Sequence, residues 1–341
     1  MSRPQSTRIT LARRPDGMPV DEDFSIETVE APELKDGQVL VKALWLSLDP
    51  YMRGRMNDAK SYAPPIEIGA VIVGESAGVV VESRHEGYAV GEHVCCPGGW
   101  QDHAIIDGDE PMLYKVDASA LPLSAYLGVA GMPGRTAYYG LLEKGRPQSG
   151  ETLVVSAASG AVGSVVGQIG KLKGCRVVGV AGGSDKCQYV VDELGFDACV
   201  DYKAGNLEAD LAAACPNGID VYFENVGGDV ARAVAPLLNE GARVPICGYI
   251  SNYNDSRSNR TETPFDIFGA LTPPPEHGFF LVYDSSMTPM EMTDALSVWI
   301  KEGSLKYKES IVEGLQNAPE AFRGLLTGKN FGKQLILVAG E

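Results

Sequence analysis

Two textures of apolar and polar positions divide the 341-residue chain. Up to about residue 125, short runs rich in β-branched and aromatic residues stand between turn-forming Gly, Pro and Asp: ITLARRP, QVLVKALWLSL, AVIVGESAGVVVES and GEHVCCPGGWQDHAII. Short strands spaced in this way predict a compact, mostly antiparallel barrel or sandwich. A Gly- and Tyr-rich stretch, LGVAGMPGRTAYYGLLEKG, predicts a helix, and after it strand and helix patterns alternate.

The alternation predicts strands at ETLVVSA, CRVVGVA, DACVDY, GIDVYFENV, GARVPICG and GFFLVYD, near-continuous apolar runs of the kind buried on both faces of a parallel sheet. Val162, Val165, Val166, Ile169 and Leu172 share one helical face, and Gly174 stands where a helix ends. Ser184 or Asp185 is the expected cap of the next helix, which runs through Leu194 to Gly195. Six strands joined by right-handed crossovers give an α/β, doubly wound, parallel six-stranded Rossmann sheet over residues 126–300. The tail repeats a strand (KYKESIVEG), a helix (NAPEAFRGLLTG) and a strand (GKQLILVAG). Because it follows a complete sheet, it is expected to rejoin the first domain, so that residues 1–125 and 301–341 form one unit.

Composition narrows the function. With 44% hydrophobic and 22% charged residues the chain reads as an ordinary globular protein. A formal charge of −16 with scattered basic residues argues against nucleic acid. No apolar run approaches the ~20 residues of a membrane span. MSRPQSTRITLARRPDG lacks an apolar signal core, so the cytoplasm is the expected compartment, and the seven cysteines are expected as buried thiols, not as a disulfide frame.

The turn Ala158-Ser159-Gly160-Ala161-Val162-Gly163 follows a strand and opens an apolar-faced helix, with alanine in the first glycine position of a dinucleotide fingerprint. Gly160 lets backbone approach a pyrophosphate, Gly163 lets the helix sit close on the strand, and the helix N-terminus supplies amides and positive dipole. About 20 residues on, where NAD would require Asp or Glu for its ribose hydroxyls, stand small neutral residues of Val180-Ala181-Gly182-Gly183-Ser184. Lys186 follows within reach of a 2′-phosphate, so NADP(H) is the expected cofactor.

Zinc is not expected. No His precedes His85 and no Cys precedes Cys95, and the grouping of His93, Cys95, Cys96 and His103 lacks metal-site spacing. The remaining chemistry lies in phenols: Tyr51 and Tyr62 in SLDPYMRGRMNDAKSYAPP, Tyr249 and Tyr253 in CGYISNYND. A tyrosine hydroxyl is a neutral acid that hydrogen-bonds a carbonyl oxygen becoming an enolate, which suits hydride reduction of an activated C=C bond.

LSLDPYMRGRM, ASGAVGSVVGQIGKLKGCRVVGVAGG, FENVGG, CGYISNYN and GKNFGK, in this order, resemble the zinc-independent medium-chain dehydrogenases/reductases that include the prostaglandin reductases, plant double-bond reductases and, in particular, bacterial NADPH-dependent curcumin reductases. The resemblance implies a GroES-like catalytic domain completed by the tail, a Rossmann NADP-binding domain between, and a homodimer. It implies that Gly160, Ala161, Val162 and Gly163 cradle the pyrophosphate and that Lys186 and Tyr202 contact the adenosine phosphate. Asn225 and the segment of Cys247, Gly248, Tyr249, Ile250, Ser251 and Tyr253 would line the cofactor; Phe280, Leu281 and Val282 would form a strand beside the nicotinamide, and Asn330 would reach it from the tail. Tyr253 corresponds to a tyrosine bonding ribose and substrate carbonyl, Tyr51 and Tyr62 to pocket tyrosines. The run between Tyr253 and Gly278 departs from the family's Pro-rich loop. Implied is reduction of α,β-unsaturated ketones or aldehydes such as curcumin-like enones, oxo-lipids and 2-alkenals; a zinc-free quinone reductase and a non-catalytic NADPH-binding protein remain open beside it.

Overall fold

The computed structural model describes every residue except Met1, Ser2, Pro32, Lys60, Arg257, Ser258, Asn259 and Glu341. The chain divides into two compact units. The first comprises residues 1–128, 309–330 and 334–341, the second residues 129–308 and 331–333.

In the first unit β1 (Gln5–Leu11) pairs antiparallel with β2 (Phe24–Glu30) as a two-stranded ribbon. β2 was not among the expected strands, although FSIETVE alternates in the manner of one. The main sheet of the unit is built on β3 (Gln38–Ser47), which pairs antiparallel with β4 (Ser76–Ser83) and with β6 (His103–Asp107). β5 (His93–Cys96) adds to β4, and β7 (Tyr114–Lys115) to β5. The expected single strands 70–83 and 91–106 are shorter than the apolar pattern, because Gly74, packed against Leu46, Met52 and Trp100, and the PGGW turn break the ladders. α1 (Tyr51–Arg55) is fixed from below by the buried Arg53, whose guanidinium donates to Gly17 O at 2.7 Å and to Asn57 Oδ1 at 2.7 Å.

The second unit contains the expected sheet. Its elements are α2 (Met132–Tyr139), β8 (Thr152–Ser156), α3 (Gly163–Leu172), β9 (Arg176–Ala181), α4 (Ser184–Asp192), β10 (Ala198–Asp201), α5 (Leu207–Ala214), β11 (Ile219–Phe223), α6 (Gly228–Val234), β12 (Leu238–Ile246), α7 (Pro264–Gly269), β13 (Glu276–Phe279) and α8 (Pro289–Lys301). Six parallel strands run in the order β10-β9-β8-β11-β12-β13. Every residue of β8 is buried, which is why TLVVS is apolar without alternation. The order reverses between β8 and β11, and such a switch point opens a crevice at the carboxyl ends of the strands.

Three expectations in this unit are corrected. The helix expected over LGVAGMPGRTAYYGLLEKG is a turn at residues 128–131, then α2, then a wider π-type turn (Gly140–Gly145); Pro133 lies in the first turn of α2, and the Phe280 ring wedges against Gly140. α4 is capped by neither Ser184 nor Asp185: Gly183, at φ +102°, holds the N-cap position and the helix ends at Asp192. The last strand stops at Phe279, so Phe280, Leu281 and Val282 are not a strand; Val282 opens a 3-10 turn.

The tail supplies β14 (Glu309–Glu313), α9 (Ala318–Leu326) and β15 (Lys333–Leu337). β15 pairs antiparallel with β3 and lies beside β14 on its other edge, which completes a seven-stranded sheet in the first unit.

Candidate active site

The second unit carries its polar loops at the carboxyl ends of the strands. After β8, Ala157 takes a left-handed conformation (φ +52°), and the chain turns back so that Gly160 N donates to Ala157 O at 2.8 Å. A Cβ on Gly163 would lie 2.3 Å from Ala157 O, so only glycine lets α3 approach the strand this closely. The N-cap of α3 is Val162, whose side chain has no oxygen to offer; Ser164 N and Val165 N are met by Gly160 O and Val162 O of the turn, and the positive end of the helix dipole lies at this turn, where an anion is favoured. Gly160, Ala161, Val162 and Gly163 thus form one turn. Residues 331–333 close beside it: Gly332 N donates to Ser159 O at 3.1 Å, while Phe331 packs edge-on against Tyr189 and lies 3.9 Å beneath Lys308 Nζ.

The ends of β9 and β10 explain the missing acid. The Tyr202 ring lies on Gly182; a Cβ there would meet its Cε1 at 2.7 Å and its hydroxyl at 2.8 Å. A carboxylate at 182 would have to displace that ring. The nearby acid, Asp201, is committed elsewhere, accepting from Gly183 N at 2.8 Å and Lys203 N at 2.9 Å. Lys186, on the first turn of α4, is half-buried, and burial together with the neighbouring Lys203 charge holds its amine below the usual lysine range. Lys203 Nζ sits 5.7 Å from the Tyr202 ring centre. The tip therefore joins two cations and a phenol; Lys203 went unmarked in the sequence because nothing distinguished it from a surface lysine.

At the end of β11 a buried carboxylate organises the next two loops. Glu224 Oε1 accepts from Ser156 Oγ (3.0 Å), Tyr222 OH (2.9 Å), Val226 N (2.7 Å) and Gly227 N (3.0 Å), and its backbone carbonyl accepts from Cys247 N. Burial pushes its carboxyl above the ordinary range, against the pull of these donors. Ser156 in turn accepts from Asn225 N through Oγ (2.8 Å) and from Asn225 Nδ2 through its carbonyl (2.8 Å). Glu224 and Ser156 also escaped notice in the sequence, since a lone Glu at a strand end carries no pattern.

The segment from Cys247 is tied to this loop: Ile250 N donates to Asn225 O, and Ser251 N to Val226 O. Cys247 is pushed up to about 12 by burial and by Glu224, so it is no nucleophile. Gly248 makes room for Tyr253, whose hydroxyl oxygen lies 2.7 Å from where a Cβ at 248 would stand, and Tyr249 meets Tyr253 edge-on at 5.7 Å between ring centres. Past β13, Phe280 turns inward, edge-on to Tyr139 and Phe223, which leaves backbone, not ring, at the sheet's edge. Leu281 N is held by Asp284. The loops at the carboxyl ends of the sheet thus carry Gly160 to Gly163, Lys186, Tyr202, Asn225, Cys247 to Tyr253 and Phe280 to Val282.

Tyr51, Tyr62 and Asn330 belong to the first unit. Tyr51 opens α1 and is half-buried, Tyr62 is 52% exposed, and Asn330 follows the turn after α9. Among the described residues no three His, Cys, Asp or Glu side chains gather where an ion could be held. Cys95 and Cys96 are fully buried on β5, with Cys96 at 3.4 Å from Ser76 Oγ, and His103 pairs with Asp102 at 2.8 Å.

Residues 7–114 match the family model described as the N-terminal domain of oxidoreductase, and residues 161–271 the one described as zinc-binding dehydrogenase. The chain is 49% identical over 340 residues to the NADPH-dependent curcumin reductase of Escherichia coli (strain K12), covering 99% of this chain and 98% of that protein. It is 42% identical over 335 residues to prostaglandin reductase 1 of Bos taurus, covering 96% and 97%. The crystal structure of CurA from Vibrio vulnificus in complex with NADPH superposes with a TM-score of 0.92 at 48% identity, covering 98% of this chain and all of that one.

Proposed function

Since the chain belongs to the zinc-independent medium-chain dehydrogenase/reductase family of the curcumin and prostaglandin reductases, we propose that it reduces the C=C bond of α,β-unsaturated ketones or aldehydes with NADPH. The fit to the cofactor is read from this chain's own residues. The Gly160–Gly163 turn and the amides of α3 suit the pyrophosphate, Lys186 and Tyr202 suit the adenosine phosphate, and the ring of Tyr202 on Gly182 leaves no place for an acid that would select NAD. Asn225, Cys247 to Ser251, the backbone of Phe280 to Val282, and Asn330 are read as lining the remainder.

When bound, NADPH supplies hydride to the β-carbon of the conjugated system. The protein's part is to receive the charge this moves onto the carbonyl oxygen. Tyr253 donates its phenol proton as a hydrogen bond to that oxygen, an interaction stronger to the enolate than to the ketone, and therefore one that lowers the barrier. The α-carbon takes its proton from solvent or a nearby acid. Tyr51 and Tyr62 are read as substrate-contacting phenols of the same reaction.

The observation that carries this reading is the placement of Tyr253, seated on Gly248 at the strand-end edge that also holds the dinucleotide turn. Tyr253→Phe should lower kcat by roughly 10²-fold with enones. Steady-state kinetics on a panel of enones, enals and quinones check it. An unchanged kcat with enones, or a preference for quinones indifferent to Tyr253→Phe, contradicts the assignment and favours a quinone reductase. We further place the enzyme in the cytoplasm as a homodimer, which light scattering of the purified protein tests through its mass.

A further inference from the structure

Two thiols meet beside the adenosine-phosphate tip of the site. Cys187 is on the first turn of α4, directly after Lys186, and Cys199 is on β10, two residues before Asp201. Cys187 Sγ reaches Ala181 O at 4.0 Å, and Cys199 Sγ lies on the same face of the sheet beneath α4, so the two thiols are neighbours that interact. Room for the Cys199 sulfur comes from Gly179 on the paired strand: a Cβ there would lie 3.2 Å from Cys199 Sγ. Both cysteines are only partly buried, whereas Cys95, Cys96, Cys175 and Cys215 are buried.

We propose that Cys187 and Cys199 form an oxidisable dithiol whose disulfide weakens NADPH binding. The chemistry needs a hydroperoxide. The Cys187 sulfur attacks one peroxide oxygen, the O–O bond breaks, hydroxide leaves and takes up a proton, and a sulfenic acid remains. The Cys199 sulfur then attacks the sulfenic sulfur; the S–S bond forms, the S–O bond breaks and water leaves. Two thiol hydrogens and two electrons pass to one hydrogen peroxide, giving one disulfide and two waters. Cys187 is suited to attack first. The neighbouring Cys199 thiol holds the Cys187 thiol below the ordinary range, while Cys199 is driven up by Cys187 and by burial.

The tie acts on cofactor binding through its neighbours. A disulfide fixes the sulfurs at about 2.05 Å, much closer than two unlinked thiols, so the first turn of α4 must close on β10. That turn carries Lys186, and β10 leads into Asp201, which holds Gly183 and Lys203, and into Tyr202 on Gly182. Linkage is reciprocal, so NADPH bound at the tip shifts the dithiol–disulfide equilibrium toward the dithiol by the same factor by which oxidation weakens NADPH. This coupling rests on the reading of Lys186 as a phosphate contact; the existence of the dithiol does not.

The full-length protein is treated with hydrogen peroxide, with and without saturating NADPH, digested without reductant and analysed for a Cys187–Cys199 linked peptide. Cofactor affinities are titrated before oxidation, after it and after dithiothreitol. The linked peptide should form more slowly with NADPH present, the NADPH Kd should rise about fivefold or more with NADH binding little changed, and dithiothreitol should reverse both. Cys187→Ser and Cys199→Ser should each abolish the peptide and the affinity change. Absence of the linkage, or a linkage that leaves NADPH affinity unchanged, overturns the proposal. Lys186→Ala in the reduced protein separates the two failures: if it does not weaken NADPH, the phosphate reading has failed, whatever the thiols do.

Discussion

At the scale of single residues, the proposed selectivity for NADPH over NADH rests on what stands at the tips of β9 and β10. Gly182 is covered by the Tyr202 ring and Asp201 is used up on backbone amides, so the tip offers a phosphate two amines and offers a ribose diol no carboxylate. A charge-assisted bond to phosphate is worth about 1.5–3 kcal/mol, and Lys186→Ala should therefore raise the NADPH KM roughly 10- to 100-fold while NADH use barely changes. Because burial and Lys203 lower the Lys186 amine, the advantage of NADPH over NADH should decay at a lower alkaline pH than an ordinary lysine would give, and Lys203→Ala should move that decay upward. A pH series of the two KM values reads it; an equal loss for both cofactors would show that Lys186 does not hold the phosphate. The sequence displayed the missing acid and Lys186, yet not the reason for the absence, since the contact of Tyr202 with Gly182 joins residues 20 apart.

Glu224 is the other residue whose role only the structure reveals. Four donors converge on one of its oxygens, and the loops after β8, β11 and β12 hang on it. Glu224→Ala strands buried donors and should cost on the order of 3 kcal/mol of stability, whereas Glu224→Gln keeps an acceptor and should cost less. The sign with pH follows from its raised carboxyl. Between the unfolded glutamate value of about 4.3 and the higher folded value, the folded state holds the proton more tightly, so this group's contribution to stability falls as pH rises through that window. Glu224→Gln removes that slope, which urea unfolding at several pH values measures.

Among the elements, α3 shows how a sequence pattern becomes a packing constraint. Its apolar stripe fixes which face is buried, and Gly163 fixes how close the helix comes. A methyl group at 163 meets Ala157 O at 2.3 Å, against backbone already held in the left-handed region, so Gly163→Ala should destabilise by about 1–3 kcal/mol and weaken NADPH as the turn opens. Thermal denaturation with and without NADPH separates the two effects. Elements defined by a long apolar run, such as β8, β9 and α3, were legible because periodicity and burial coincide there. Those decided by contacts distant in sequence were not. Phe280 leaves the sheet because Tyr139, Gly140 and Phe223 provide a core socket for its ring, and α4 starts on glycine because its entry requires a positive φ. β2 alternates but is half-exposed on a two-strand ribbon, so its pattern is weak.

At the scale of the whole molecule, the alternation of strand and helix was enough to foresee the six-stranded parallel sheet, and the switch point between β8 and β11 then tells where a dinucleotide site is to be sought. The chemistry is less legible. A tyrosine in a loop is the same letter whether it packs or donates, and the reacting partner lies outside the chain. The central claim is that hydride goes to carbon–carbon unsaturation and not to a carbonyl. It is tested most directly by turning over an α,β-unsaturated ketone with NADPH carrying deuterium at the transferable position and locating the label by NMR. The expected product is a saturated ketone with deuterium on the β-carbon and the carbonyl intact; an allylic alcohol with deuterium on the carbinol carbon would overturn the assignment.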